Sequence, residues 1–139
     1  ECAQVLLDKG AYIDKPDADG ITPLGAAVYN GHVKMVELLV QKGANIDQVD
    51  EYGQTPLYWC AAEGHVECAQ VLLDKGAYID KPDADGITPL GAAVYNGHVK
   101  MVELLVQKGA NIDQVDEYGQ TPLYWCAAEG HVECAQVLL

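Results

Sequence analysis

The residues best suited to chemistry are Cys60, His65 and Cys68, which recur as Cys126, His131 and Cys134. Two thiols and an imidazole this close together suggest a zinc site. A structural zinc site needs four ligands at set spacing, however, and no fourth candidate is evident. The same residues make a poor Cys–His catalytic pair, because no third group is in place to orient the imidazole. Asp14, Asp17, Asp19 and Gly20 have the look of a calcium loop. With Gly20 at the sixth place of such a loop, Lys15 falls at the first ligand and Ala26 at the twelfth, where Glu is required. Solvated turn aspartates are the better account. His32, His65, His98 and His131 recur at a constant interval and are expected to be structural. The chain has no glycine-rich phosphate loop, nucleophile elbow or metalloprotease helix signature. No enzyme reading follows, and no catalytic residue, metal or cofactor is expected.

The elements that position these residues form a repeat. The tripeptide Thr-Pro-Leu begins at Thr22, Thr55, Thr88 and Thr121, a step of 33 residues. Residues 1–73 are identical to residues 67–139, so two unit types alternate and the 66-residue pair is copied without a difference. Within one unit, Gly20 supplies the positive φ of a tight turn, Thr22 an N-cap, and Pro23 a first helical residue that needs no N–H. A short helix is predicted to about Asn30, ended by Gly31. A second runs from about Val33 to Lys42. Met35, Val36, Leu38, Leu39 and Val40 form its apolar face, while Lys34, Glu37, Gln41 and Lys42 stay in water. Gly43 stops it, and Ala44 to Asp50 leads into the next turn. Helices of under about 12 residues are marginal alone in water. Each must bury its face against the neighbouring unit, which is the logic of a solenoid.

With 139 residues and 50% apolar content, the chain can bury one ordinary core. Its 21 acidic residues stand against 8 basic ones, all Lys, for a formal charge of −13. That balance argues against nucleic acid and against an anionic membrane surface. A basic protein or peptide is the partner such a field attracts. No apolar run is long enough for a membrane span, and no signal peptide is visible. Five cysteines without a secretory signal read as reduced thiols in a cytoplasmic or nuclear setting, and their odd number fits a closed disulfide framework poorly.

The sequence of signals, Asp-x-x-Gly-x-Thr-Pro-Leu, then Gly-His, then Leu-Leu-x-x-Gly-Ala, resembles the ankyrin repeat over the whole chain. The resemblance implies a mainly α fold, an α-solenoid in which each repeat adds a β-hairpin-like loop to an antiparallel helix pair. It divides a single solenoid, 1–139, into full repeats at 17–49, 50–82 and 83–115, with partial repeats at 1–16 and 116–139. It also makes His65 an ordinary Gly-His histidine and puts Cys60 and Cys68 at core positions. In one respect the chain departs from the family. His usually follows Thr-Pro-Leu, whereas this chain has Gly25, Tyr58, Gly91 and Tyr124. Gly inside a helix costs about 0.5–1 kcal/mol relative to Ala. The Gly-bearing first helices are therefore expected to be looser, unless close packing needs the space. Residue 1 and Leu139 both fall within second helices, and neither end carries a polar capping face. A slice of a longer array, or an array made to join end to end, is the expectation.

Recognition of a protein or peptide is the function the resemblance implies, across a concave surface of loop tips and exposed first-helix sides. In the first unit type it places Ala18, Asp19, Ile21, Tyr29 and Asn30 there, the last four copied as Asp85, Ile87, Tyr95 and Asn96. In the second it places Ala62 with Glu51, Tyr52, Gln54 and Glu63, these four copied as Glu117, Tyr118, Gln120 and Glu129. Tyr52 and Tyr118 are the foremost anchor candidates, because a loop-tip tyrosine has little folding role. Trp59 and Trp125 are assigned to packing between repeats ahead of lining the groove. The alternative function is a structural array, natural or engineered, whose copies self-associate head to tail through a contact that does not close.

Overall fold

In the computed structural model, which describes residues 2–139, every Thr-Pro-Leu opens a helix. These first helices are α2 (Pro23–Tyr29), α4 (Pro56–Glu63), α6 (Pro89–Tyr95) and α8 (Pro122–Glu129). Proline occupies the first turn of each, and the preceding threonine hydroxyl accepts a hydrogen bond from the backbone N–H three residues on, at 3.0 to 3.2 Å. That bond satisfies one of the N–H groups a helix start leaves without a partner. The two unit types end their first helices differently. Asn30 and Asn96 close α2 and α6 by donating their side-chain amides to Ala26 O and Ala92 O, at 2.9 and 3.0 Å. Gly64 and Gly130 close α4 and α8 in the left-handed conformation, with φ of 75° and 74°.

The second helices are α1 (Cys2–Asp8), α3 (Val33–Gln41), α5 (Val66–Asp74), α7 (Val99–Gln107) and α9 (Val132–Leu138). A histidine precedes each of α3, α5, α7 and α9, yet none of these imidazoles caps its own helix. The rings of His65, His98 and His131 are engaged with the preceding repeat instead.

First helices pack in one row, α2 to α4 to α6 to α8, and second helices in another, α3 to α5 to α7 to α9. The core is the stripe between the rows. It takes Leu24, Val28, Leu57, Leu90 and Val94 from the first row and Val36, Leu39, Leu72 and Leu105 from the second. Each fully buried leucine contributes roughly 2 kcal/mol through removal of apolar surface from water. The result is a mainly α repeat solenoid. Its loops turn like hairpins, with Asp17 N donating to Ile21 O at 2.9 Å, but no strand forms among the described residues. None of the described helices is long and apolar enough to cross a membrane.

Stacking decides burial more than sequence does. Helices α1 and α5 share the heptapeptide Cys-Ala-Gln-Val-Leu-Leu-Asp. In α5 its Cys68, Ala69 and Leu72 are buried, whereas α1 buries nothing. Met35 of α3 is 37% exposed and its copy Met101 of α7 is 0% exposed. The difference between them is a complete neighbouring repeat on the N-terminal side.

The glycine within each Gly-type first helix has a packing reason. A Cβ at Gly25 would lie 3.3 Å from Ile21 Cγ2, and one at Gly91 would lie 3.2 Å from Ile87 Cγ2. The isoleucine methyl group fills the place that a side chain would take.

Candidate functional site

The Cys–His clusters come apart in three dimensions. Cys60 and Cys68 are buried in the core. Their mutual hydrogen bond, and then burial, push the Cys60 thiol well above the ordinary thiol range. His65 instead reaches back across the stack, its Nε2 lying 3.0 Å from Tyr29 O. A carbonyl oxygen only accepts, so Nε2 carries the hydrogen. His98 makes the same bond to Ala62 O and His131 to Tyr95 O, each at 3.0 Å. The ring also lies against a glycine of the earlier repeat. A Cβ would come within 2.9 Å of His65 at Gly31, 2.9 Å of His98 at Gly64 and 2.8 Å of His131 at Gly97. Gly64-His65 and Gly97-His98 each take part in two clasps, the histidine reaching back to the earlier repeat and the glycine receiving the ring of the later one.

Two aspartates of the supposed calcium loop, Asp14 and Asp17, are occupied by backbone. Asp17 Oδ1 accepts from the N–H groups of Asp19 and Ile21, both at 2.9 Å. Asp14 Oδ1 accepts from Asn45 N at 2.9 Å, tying one loop to the next. Asp50, Asp83 and Asp116 repeat the first arrangement in their own loops. Successive tips are joined by one backbone bond each, from Glu51 N to Asp19 O, Ala84 N to Tyr52 O and Glu117 N to Asp85 O. The loop row is therefore a framework fixed by hydrogen bonds, from which the tip side chains project.

In the Tyr-type units one aspartate does a second job. Trp59 Nε1 donates to Asp50 Oδ2 at 3.2 Å, and Trp125 Nε1 to Asp116 Oδ2 at 3.1 Å. Desolvation pushes the Asp116 carboxyl upward, but the N–H groups of Gln120 and Tyr118 and the Trp125 indole together hold it below the usual carboxylate range. Each indole is pinned to the loop and meets two tyrosines edge to face. Tyr29 and Tyr58 stand 5.3 and 5.9 Å from Trp59 between ring centroids, and Tyr95 and Tyr124 both stand 5.4 Å from Trp125. The tryptophans pack against the core on one side, as their assignment to packing requires, and Trp125 also lines an open cleft.

That cleft, of about 750 Å³, gathers Asp85, Ile87, Tyr95, Glu117, Tyr118 and Gln120 from the expected surface residues. Asn96 and Glu129 stay outside it. Tyr58, Gly91 and Trp125 line it as well. Tyr58 was legible only as a departure from the usual histidine, not as a surface residue. Burial, and then the Asp83 carboxylate beside it, push the Tyr58 phenol up to about 12. In the first copy Asp19, Tyr29, Asn30, Glu51, Tyr52 and Glu63 are exposed, while Ile21 and Gln54 are half-buried. The Asn30 amide is committed to closing α2. Tyr52 and Tyr118 are 61% and 77% exposed. Each donates its hydroxyl to the glutamate before it, Glu51 or Glu117, and that bond with the glutamate charge raises the phenol above its ordinary range.

A family model described as ankyrin repeats, three copies, matches residues 1–83 and again residues 79–139. No curated protein matches the chain.

Proposed function

The chain belongs to the ankyrin-repeat family, and from that premise we propose that it is a recognition scaffold binding a basic protein or peptide along its row of loop tips and first helices. Ankyrin repeats generally serve as protein–protein interaction modules and typically have no enzymatic role. The observation that carries the reading is the combination of exposed tyrosines with a loop framework that is already fixed. A partner meeting such a surface orders little of it on binding, which lowers the entropic cost of association. The contact set we assign is Asp19, Ile21, Tyr29, Glu51, Tyr52 and Gln54 with their copies 66 residues on, and Asn30, Glu63, Asn96 and Glu129 at its margin. The whole chain acts as one solenoid in this reading, with the repeat boundaries given above. Four buried free thiols support a reducing, intracellular setting.

The test is a panel of immobilised 12-residue peptides of graded charge, probed with the labelled chain. Basic peptides are expected to bind. The double variant Tyr52→Ala/Tyr118→Ala should weaken that binding by about fivefold or more, as loss of an interface tyrosine does, while leaving the far-ultraviolet dichroism unchanged. Unaltered binding by the variant, or an unfolded variant, would remove these tyrosines from the surface. Binding to no peptide of the panel would sink the reading itself.

A second reading, end-to-end stacking of copies, is favoured by apolar surface at both ends. Leu6, Leu7, Ile13, Met35 and Leu39 line a groove of about 420 Å³ at one end. Leu123, Tyr124 and Val132 are exposed at the other. Sedimentation at rising concentration checks it, and a strictly monomeric species would exclude it.

A further inference from the structure

Resting on the recognition reading above, we infer that the cleft between Tyr58 and Trp125 takes a single cationic side chain of the bound peptide, arginine ahead of lysine. The walls are aromatic, formed by Tyr58, Tyr95, Tyr118 and Trp125. Ring faces carry the negative part of the π quadrupole and attract a cation held within about 6 Å of them. At the mouth stand Asp85 and Glu117, both exposed, Glu117 also accepting from the Tyr118 hydroxyl, whereas Asp83 and Asp116 are committed to their loops. No lysine or histidine lines the cleft, so its charge is left for a ligand to balance. A flat guanidinium suits this site better than an ammonium, because it stacks on a ring and presents a fork of N–H donors to a carboxylate.

The equivalent loop and helix one 66-residue cell earlier, with Ile21, Gly25, Gln48 and Trp59, enclose only about 10 Å³. No tyrosine lines that smaller space, whereas Tyr58, Tyr95 and Tyr118 line the cleft. The cleft thus requires a Tyr-type, a Gly-type and a Tyr-type unit in succession. Gly91 keeps the floor low and Tyr58 and Trp125 raise the sides. Both departures from the usual histidine serve one device.

The experiment uses the full chain labelled with ¹⁵N and reads the two indole N–H signals during titration. The probes are N-acetyl-arginine amide, N-acetyl-lysine amide and N-acetyl-citrulline amide, the last a neutral isostere of the first. The arginine probe should move the Trp125 signal and leave Trp59 in place, the lysine probe should do so more weakly, and the citrulline probe should do neither. Tyr58→Leu, which keeps bulk but removes the ring, should lower arginine affinity about fivefold with the spectrum otherwise preserved. Asp85→Asn, which leaves the walls intact, should lower it as well. The inference is overturned if citrulline moves Trp125 as strongly as arginine does, if Trp59 responds equally, or if both variants bind like the parent. Should Trp125 stay still while basic peptides of the panel bind, the cleft assignment falls and the recognition reading stands. Should the panel also stay silent, both fall.

Discussion

Tyr58 sits half-buried beside Asp83, and its acidity sets an alkaline limit on the fold. The folded state holds the phenolic proton more tightly than the unfolded chain does, because its pKa rises from 10.0 to about 12. The stabilisation is therefore complete below pH 10 and is lost as pH climbs through 12. Urea midpoints measured from pH 8 to 12 should fall more steeply for the parent than for Tyr58→Phe, whose other titrating groups are the same. Parallel curves would mean that Tyr58 is solvated. The histidine clasp offers a second comparison at this scale. Gly97 has φ +73° with His131 2.8 Å from a notional Cβ, whereas Gly109 has φ +93° and open space around it. Gly109→Ala should cost only the left-handed penalty of about 1 kcal/mol. Gly97→Ala should cost at least about 1 kcal/mol more, because the displaced ring also loses its bond to Tyr95 O. Urea unfolding of both variants measures the difference, and equal costs would show that the ring contributes no lock.

Among the helices, the informative pair is α1 and α5, which carry one heptapeptide in two settings. Amide exchange should be protected in α5, between α3 and α7, and fast in α1, which buries no residue. Comparable protection would mean that this sequence is helical without help from its neighbours. The same contrast explains what could be read in advance. The threonine caps, the Pro23 start and the stops at Gly31 and Gly43 act within a turn or two of chain, so a single sequence displays them. Tyr58 as a cleft wall was hidden, because it faces Gly91 and Trp125 only after three units have stacked. The second role of Trp125 was hidden for the same reason, since packing and lining are opposite sides of one ring. Asn30 shows the reverse difficulty. It lies at the expected edge of the surface, but its amide is held by a local bond to Ala26 that competes with any ligand.

For the molecule as a whole, a formal charge of −13 on 139 residues means that repulsion opposes the fold. Two exposed ion pairs, Lys42 with Asp8 at 3.7 Å and Lys108 with Asp74 at 3.5 Å, join neighbouring second helices and offset little of it. Raising salt from about 0.01 to 0.15 M shortens the screening length from roughly 30 to 8 Å. The melting temperature should rise by a few degrees over that range, as read by circular dichroism, because screening the net repulsion outweighs weakening two surface pairs. A fall would place the balance with the pairs. The clasps that hold the repeats together also have a direction. In every case the histidine of the later unit reaches back to a carbonyl and a glycine of the earlier one. A ribosome makes the earlier unit first, so each imidazole emerges to find its receiving site already built, and the stack can assemble in the order in which it is translated.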